Sequence, residues 1–242
     1  MELHIFKTVD EAITSLADYF VQHLHMIISD NGRCNVVLTG GRSPRNLYNL
    51  LTTSAYKDQL DWKKMYFFLG DERYVPIDDE ASNGGMVRKF LIEPLAIPDE
   101  NIFYLNTGLS PEDAARDYTD RIRKHFNGNA VKFDLVLLGL GDNAHTASLF
   151  PGTPVLKEKE KKVSAVFLED QDLWRLTMTA PLINDAEVIA FLVYGQTKSD
   201  AVHHVLNGPQ DIDTYPAQLI RPEHAVVHWF LDEAASTYLK ND

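Results

Sequence analysis

Short apolar runs alternate with segments of helical periodicity along most of the chain. The runs are rich in β-branched and aromatic residues and predict strands over residues 3–6, 35–39, 65–70, 102–105, 133–139, 163–168, 176–179, 187–194 and 225–231. Between many of them, apolar side chains recur at helical spacing and predict helices over residues 10–28, 44–51, 86–91, 111–126, 197–206 and 232–239. Continuous apolar strands that alternate with helices are typical of an α/β fold with a mainly parallel sheet. Residues 163–179 fit an antiparallel excursion equally well.

The composition narrows the class of protein. The chain has 242 residues, of which 45% are apolar and 24% charged, and no segment has the character of a linker. We therefore expect one domain over residues 1–242. The net charge of −12 argues against nucleic acid as a partner, and no apolar run is long enough to span a membrane. A lone cysteine, Cys34, and the lack of any Asn-x-Ser/Thr acceptor favour a cytoplasmic protein.

Ligands of open parallel sheets bind beyond the carboxyl ends of the strands, and four predicted strands end in unusual residues. The strand at 35–39 runs into Gly40, Gly41, Arg42, Ser43 and Pro44. Glycines let the backbone approach a ligand, Ser43 suits a helix N-cap and Pro44 suits the first helical position. The free N–H groups of such a turn can hold a phosphate, although a plain strand-to-helix turn explains it equally well.

The strand at 65–70 ends in Gly70 and is followed directly by Asp71, Glu72 and Arg73. Charges at the exit of a buried strand are costly unless they pair or contact a ligand. The ordinary explanation is an ion pair between Asp71 and Arg73.

The strand at 133–138 opens into Gly139-Leu140-Gly141 and then His145, which is flanked by Asn143 and Thr146. A neutral imidazole can take a proton from water near pH 7, and N–H groups such as that of Gly141 can stabilise an oxyanion. We assign structural or solvated roles to the histidines within helical or strand patterns, namely His23, His25, His125, His203, His204, His224 and His228.

The strand at 187–194 is followed by Gly195, and Lys198 lies in the first turn of the next predicted helix. A lysine there opposes the helix dipole, so it gains little unless an anion lies opposite; its ordinary role is a solvated surface charge. No HExxH motif, cysteine cage or GxSxG elbow accompanies these groups. The sequence therefore predicts a site without a metal or cofactor.

The four segments GGRSP, DERYVP with the later Ser82-Asn83 pair, HTASLFPG and GQTK occur in this order. Together they resemble the 6-phosphogluconolactonases of the glucosamine-6-phosphate isomerase/6-phosphogluconolactonase family. The likeness covers nearly the whole chain and includes Pro216, Ala217, Pro222, Trp229 and Asp232. It implies a modified Rossmann-like three-layer αβα sandwich. The implied reaction is hydrolysis of 6-phospho-D-glucono-1,5-lactone to 6-phosphogluconate.

The resemblance also implies roles for the matching residues. His145 would be the general base that activates water, while Asp71 and Arg73 would orient the substrate and the catalytic groups. The turn from Gly40 to Ser43 and Lys198 would take the phosphate. We add Arg88 as a second phosphate cation from its helical spacing, and we expect a small-molecule partner and a monomer or weak homo-oligomer.

One departure from the family pattern lies next to His145. The family commonly has Gly-x-Gly-x-Asp-Gly-His-Thr, whereas this chain has Asn143 and Ala144 at the Asp and Gly positions. An Asn carbonyl can still fix the imidazole tautomer but stabilises the imidazolium less, unless Asp142 compensates. Ala144 predicts a backbone that does not need a positive φ, or one that tolerates it with strain.

Two other functions remain as alternatives. The sister activity, glucosamine-6-phosphate deamination and isomerisation, uses a further carboxylate after the histidine. Here residues 147–151 contain none, and Arg73 stands where the deaminases favour an aromatic residue. The second alternative is a sugar-phosphate-binding protein without catalysis, which Asn143 and Ala144 keep open.

Overall fold

The computed structural model describes residues 1–239 and contains two sheets. The strands are β1 (Glu2–Phe6), β2 (Cys34–Leu38), β3 (Met65–Leu69), β4 (Asp71–Arg73), β5 (Ile102–Phe103), β6 (Leu135–Leu138), β7 (Val163–Leu168), β8 (Leu173–Met178), β9 (Val188–Val193) and β10 (Val226–Asp232). Seven of them form a sheet in the order β1-β10-β9-β6-β2-β3-β5, and every paired neighbour in it is parallel. The predicted α/β fold with a mainly parallel sheet is confirmed.

The order in which the chain adds strands to the sheet changes direction between β2 and β6, although the two strands are parallel. From β2 it passes outward through β3 to β5, then returns to the other side of β2 at β6 and continues through β9 to β10. Such a topological switch point leaves a crevice at the carboxyl ends of the two strands, because the following connections turn away from each other. The two glycine-rich turns, at residues 40–41 and 139–141, follow these two strands.

The helices that cover the sheets are α1 (Val9–Asn31), α2 (Arg42–Leu51), α3 (Asn83–Val87), α4 (Pro111–His125), α5 (Ala180–Asn184) and α6 (Ser199–Leu206). Helix α1 begins with a capping box, in which Thr8 and Glu11 each bond the other's backbone N–H, and it ends at Gly32 with a φ of 76°. Its apolar face packs on β1, β2, β9 and β10, whereas α4 packs on β7 and β8.

Two buried tyrosines fix the ends of the central strands. The Tyr48 hydroxyl of α2 donates to the Thr39 carbonyl at 2.9 Å, and the Thr39 N–H donates back to it at 3.2 Å. The Tyr118 hydroxyl of α4 accepts from the Leu69 N–H at 2.8 Å. Backbone groups at the ends of β2 and β3 are thereby satisfied without water, which holds the segments that follow them in place.

The segment at 163–179 is antiparallel. Strands β7 and β8 form a hairpin, and β4 pairs with β8 to complete a second sheet. The chain leaves the parallel sheet at Gly70, whose N–H donates to Leu38 and whose carbonyl accepts from Met178. This change of sheet sets Asp71 opposite Thr177 and Arg73 opposite Arg175.

Two predicted helices differ from the structure. The prediction of a helix at 232–239 is wrong, because β10 continues to Asp232 and only a 3-10 turn, Thr237–Leu239, follows. The Asp232 carboxylate accepts from the N–H groups of Gly195 and Ala235, which stabilises a turn in place of a helix. The helix predicted at 86–91 is divided between α3 and a π-helical turn, Arg88–Ile92.

The prediction of a single domain over residues 1–242 stays a prediction, and its last three residues lie outside the described part. Among residues 1–239, no helix is both long enough and apolar enough to cross a bilayer.

Candidate active site

The four unusual strand ends belong to four adjacent strands. Strands β3, β2, β6 and β9 lie side by side at the centre of the main sheet. Because they are parallel, their carboxyl ends meet at one edge, where the segments containing Asp71, Gly40, His145 and Lys198 begin. The sequence-predicted groups are thus brought to the edge where α/β sheets bind ligands.

The first segment is the turn between β2 and α2. Helix α2 begins at Arg42 with Gly41 as its N-cap, so the prediction of Ser43 as the cap and Pro44 as the first helical residue is wrong by two positions. Gly41 has a φ of 106°, which an L side chain rarely adopts, and it provides no side-chain oxygen to the helix. The N–H groups of the first turn therefore lack a side-chain cap, and Arg42 is exposed beside them.

Gly40 allows a close approach between this turn and Asn83. A Cβ atom at residue 40 would lie 1.7 Å from Oδ1 of Asn83, so any larger residue would displace the Asn83 side chain. Asn83 in turn donates from Nδ2 to the Asp71 carboxylate at 3.2 Å and to the Asp71 carbonyl at 3.0 Å. The glycine turn and the Asp71 segment are therefore in direct contact.

Asp71 is buried and held by neutral donors. Ser148 donates from Oγ to its Oδ2 atom at 2.7 Å, in addition to Asn83. Burial raises the pKa of Asp71, while the Ser148 hydrogen bond and the nearby charges of Arg73 and Arg175 oppose that shift. The described residues contain no direct Asp71–Arg73 ion pair, so the ordinary explanation of this motif is not met.

Two guanidinium groups face each other across β4 and β8. Arg73 donates from Nη1 to the Ala81 carbonyl and Arg175 from Nη2 to Gln171, but Nε of each is buried without a partner in the described part of the chain. Buried donors of this kind are usually satisfied, and an anionic ligand would do so. Arg175 was missed by sequence reasoning, because the one signal was a charge within a strand whose partner was unknown.

Glu72, the neighbour of Asp71, has a structural role. Its carboxylate accepts from the N–H groups of Asn83 and Gly84, both at 2.7 Å, and from the Ser82 hydroxyl at 3.0 Å. It thereby fixes the start of α3 and, with it, Asn83.

His145 is partly exposed and oriented by Asn143. Its Nδ1 atom lies 2.5 Å from Oδ1 of Asn143, and its ring stacks on Phe150 with centroids 4.0 Å apart. Because an amide oxygen only accepts hydrogen bonds, Nδ1 carries the proton and Nε2 keeps a free lone pair. Asn143 thus supplies the tautomer that a general base requires.

The loop that carries His145 is tightly held. The Gly141 N–H donates to the His145 carbonyl at 2.8 Å, and the Thr146 hydroxyl donates to the Gly139 carbonyl at 2.8 Å. Ala144 and Ala147 have φ values of 58° and 48°, so the second alternative for Ala144, a positive φ with strain, is correct. Strained backbone on both sides of His145 is typical of a functional loop.

Burial first, and then the positive charges of Lys198, Arg175 and Arg73, lower the pKa of His145 to about 4. Asp142 opposes this shift but is not hydrogen-bonded to the imidazole. The imidazole is therefore neutral at pH 7, which is the form that a general base requires.

Lys198 and Asp142 form an ion pair at the rim of the site. Nζ of Lys198 lies 2.5 Å from Oδ1 of Asp142, which holds the pKa of that carboxyl below its usual range. The anion that the sequence required opposite Lys198 is therefore present within the chain. Asp142 does not compensate for Asn143 by bonding His145; it pairs with Lys198.

Arg88 is occupied elsewhere. Its Nη2 atom lies 2.6 Å from Oδ1 of Asp78 and its Nε atom 3.7 Å from Oε1 of Glu93, so two carboxylates already neutralise the guanidinium charge. Its role as a phosphate cation stays a prediction.

Gly141 offers a test of how closely the imidazole must be positioned. A Cβ at this residue would lie 2.0 Å from Nδ1 of His145, whereas one at Gly139 would meet nothing within 4 Å. If the imidazole is the base that the resemblance implies, Gly141→Ala should lower kcat for lactone hydrolysis by about 100-fold, since displacing a catalytic group by ~1 Å has effects of that size. Gly139→Ala should retain most of that activity. Steady-state rates on the two purified variants test this, and equal rates would contradict it.

Comparison with known proteins gives a consistent assignment. The family described as glucosamine-6-phosphate isomerases/6-phosphogluconolactonase matches residues 7–229. A 6-phosphogluconolactonase from Synechocystis is 38% identical over 217 residues, which cover 88% of each chain. One from Rattus norvegicus is 33% identical over 241 residues, covering 98% of this chain and 93% of the relative.

A solved structure shares the architecture. The 6-phosphogluconolactonase from Trypanosoma brucei superposes with a TM-score of 0.87 at 27% identity and covers 98% of both chains. The resemblance and the three-layer fold that it implied are therefore confirmed. The chain belongs to the family of glucosamine-6-phosphate isomerases and 6-phosphogluconolactonases.

Proposed function

We propose that this chain hydrolyses 6-phospho-D-glucono-1,5-lactone to 6-phosphogluconate, with His145 as the general base. The observation that carries the proposal is the 2.5 Å contact between Nδ1 of His145 and Oδ1 of Asn143, which directs the free Nε2 lone pair away from Asn143. The curated relatives with this activity, at 33–38% identity, support the choice of substrate.

The reaction follows from these groups. The lone pair of Nε2 takes a proton from water while the water oxygen attacks the lactone carbonyl carbon and the carbonyl electrons move onto its oxygen. The tetrahedral intermediate then collapses, the bond to the ring oxygen breaks, and the imidazolium returns its proton to that oxygen. The Gly141 N–H, which the sequence suggested for this charge, already donates to the His145 carbonyl. The guanidinium groups of Arg73 and Arg175, whose Nε atoms have no partner within residues 1–239, suit the negative charge that develops.

The phosphate binds at the cationic side of the site. The uncapped first turn of α2 and the exposed Arg42 present N–H groups and positive charge at the Gly40–Gly41 turn. Lys198, paired with Asp142, adds a positive charge at the loop that follows β6. In a chain with a net charge of −12, these local groups must hold a dianion against an unfavourable overall field.

Asp71 positions rather than reacts. Both oxygens of its carboxylate accept hydrogen bonds, from Ser148 and Asn83, and the latter packs on the Gly40 turn. We assign Asp71 the role of fixing the position of the loop that carries His145 relative to the Gly40–Gly41 turn.

The side chains around His145 suit activation of water by the imidazole, because they do not include a group of close metal ligands among residues 1–239. Within residues 1–239, the group of metal-ligating side chains found close together is Glu2, His4 and His228, which belongs to the first and last strands and not to these loops.

Two measurements on the purified chain separate the candidate functions. Lactone opening followed at a pH that suppresses the spontaneous reaction should be accelerated well above buffer, and release of ammonia from glucosamine 6-phosphate should be absent. Ammonia release would favour the isomerase. Binding of 6-phosphogluconate without acceleration would favour a sugar-phosphate-binding protein.

The pH dependence gives an independent test of the base. Because the neutral imidazole is active and its pKa lies at about 4, kcat/KM should stay level from pH 7 to about 5 and fall below that. In the substrate complex the phosphate offsets the charge of Lys198, so the acid limb of kcat should lie at higher pH than that of kcat/KM. A single limb near 6.5 for both parameters would contradict this.

Asn143→Asp tests how the neighbouring amide sets the strength of the base. A carboxylate at this position stabilises the imidazolium, so the acid limb of kcat/KM should move to higher pH, while the tautomer is kept. Asn143→Leu is the comparison variant, because it removes the acceptor and should lower kcat. An unchanged acid limb in Asn143→Asp would separate Asn143 from the base.

A further inference from the structure

Three potential metal ligands meet where β1 and β10 begin. Nε2 of His4 lies 3.0 Å from Nδ1 of His228, and Oε2 of Glu2 lies 3.3 Å from the latter and 3.9 Å from the former. Glu2 and His4 are two residues apart on β1, so both side chains are on the same face of the sheet. Glu2 is in register with His228 of β10. The group lies at the amino ends of these parallel strands, whereas the candidate active site lies at the carboxyl ends of the central ones.

The spacing of the three atoms matches a small divalent ion. A point equidistant from them lies about 2.0 Å from each atom, which is the length of Zn²⁺ bonds to imidazole nitrogen and carboxylate oxygen. Only small side-chain movements are needed to place an ion slightly out of their plane and open a fourth position. Glu2 is exposed and His4 partly exposed, so water can occupy that position and an ion can enter.

We propose that Glu2, His4 and His228 form a binding site for a divalent transition-metal ion of the Zn²⁺ type. Two imidazoles and one carboxylate are a donor set that Zn²⁺ accepts readily, and imidazole nitrogen discriminates against Mg²⁺ and Ca²⁺. The site joins the edge strand β1 to β10 and is independent of the reaction proposed above.

The surrounding residues already orient the ligands. The Tyr19 hydroxyl of α1 lies 3.1 Å from Nε2 of His228, so that nitrogen can donate its proton to Tyr19 and leave Nδ1 free for the ion. The His4 ring stacks on Phe230 with centroids 4.7 Å apart.

The ion would tie the first strand to the last. Strand β1 is an edge strand with β10 as its neighbour, and His228 is far in sequence from Glu2 and His4. The unfolded chain lacks this constellation, so binding stabilises the folded state by mass action. The alternative is that the His4–His228 hydrogen bond and the contact with Glu2 are complete without an ion.

The test uses the full chain after treatment with a chelator. Titration with Co²⁺, followed by its visible d–d absorption, and with Zn²⁺, followed by calorimetry, should give one ion per chain, and stoichiometric Zn²⁺ should raise Tm. His4→Ala should abolish both effects. Tyr19→Phe should weaken binding by about tenfold or more, because the imidazole loses its orienting partner.

The matched control is His25→Ala, which removes an exposed histidine of α1 outside the cluster. It should bind as the parent does. Lactone hydrolysis by His4→Ala, if equal to that of the parent, shows that the fold is intact; circular dichroism provides the same check without relying on the proposed activity.

Two results overturn the proposal. One is the absence of a stoichiometric ion in the parent chain at micromolar Zn²⁺ and Co²⁺. The other is binding that His4→Ala leaves unchanged but that His203→Ala removes, which would assign the ion to the adjacent histidines of α6.

Discussion

His145→Ala is expected to lower kcat on the phosphorylated lactone by about 10²- to 10⁴-fold, the range for loss of a general base, with little change in KM. The base acts mainly in the transition state, and the phosphate is held by other groups. The structure adds a reason to expect a loss near the upper end. Within residues 1–239, no second imidazole contacts His145, and Asp142, whose charge acts on the ring, is already paired with Lys198.

Removing the ring also removes its stacking on Phe150, so a second variant is needed to separate chemistry from folding. His145→Gln keeps a similar volume and a hydrogen-bonding group and should be as inactive as His145→Ala. His224→Ala removes an exposed histidine outside the site and should behave as the parent does. If His145→Gln retains parental kcat with an unchanged pH profile, another group activates the water.

Lys198→Ala is expected to raise KM for the phosphorylated lactone by about 10- to 100-fold, because a charge-assisted hydrogen bond contributes about 1.5–3 kcal/mol. Steady-state kinetics with D-glucono-1,5-lactone, which lacks the phosphate, should show no such increase. The difference between the two substrates is the measurement that identifies a phosphate contact. An equal rise for both would remove Lys198 from that role.

The Lys198–Asp142 ion pair sharpens this test. At 2.5 Å, Asp142 competes with the phosphate for Lys198, so Asp142→Asn should lower KM for the phosphorylated substrate alone. Lys162→Ala is the matched control, since Lys162 pairs with Asp185 at 2.9 Å in another part of the molecule. It should leave KM unchanged for both lactones.

Helix and strand positions were predictable where the signal was local. The apolar runs at β2, β3, β6 and β9 depend on side chains adjacent in sequence. The glycines at 41 and 195, which follow β2 and β9 and have a positive φ, mark turns that few other residues permit. The helix predicted at 232–239 failed because Asp232 bonds the N–H of Gly195, a residue of another strand end. Ser43 failed as a cap because Gly41, with its positive φ, begins the helix earlier.

The candidate site was predictable to a similar degree. His145, Asp71, Lys198 and the Gly40 turn lie at strand ends, and parallel strands deliver their ends to one edge whatever their order. Arg175 was not predictable, because its place opposite Arg73 depends on a pairing between β4 and β8. The Lys198–Asp142 ion pair was not predictable either, since it joins loops that follow two different strands, β9 and β6.

The sequence by itself determined that the chain has an α/β fold, that four strand ends carry the candidate site residues, and which family it resembles. Only the tertiary structure decided which strands are neighbours, which charges are already paired, and that residues 2, 4 and 228 share one face. The physical reason is the separation along the chain over which each kind of interaction acts. Periodicity and turn preferences act between residues close in the chain, whereas hydrogen bonds, ion pairs and ligand sites form between any residues that packing brings within a few ångströms.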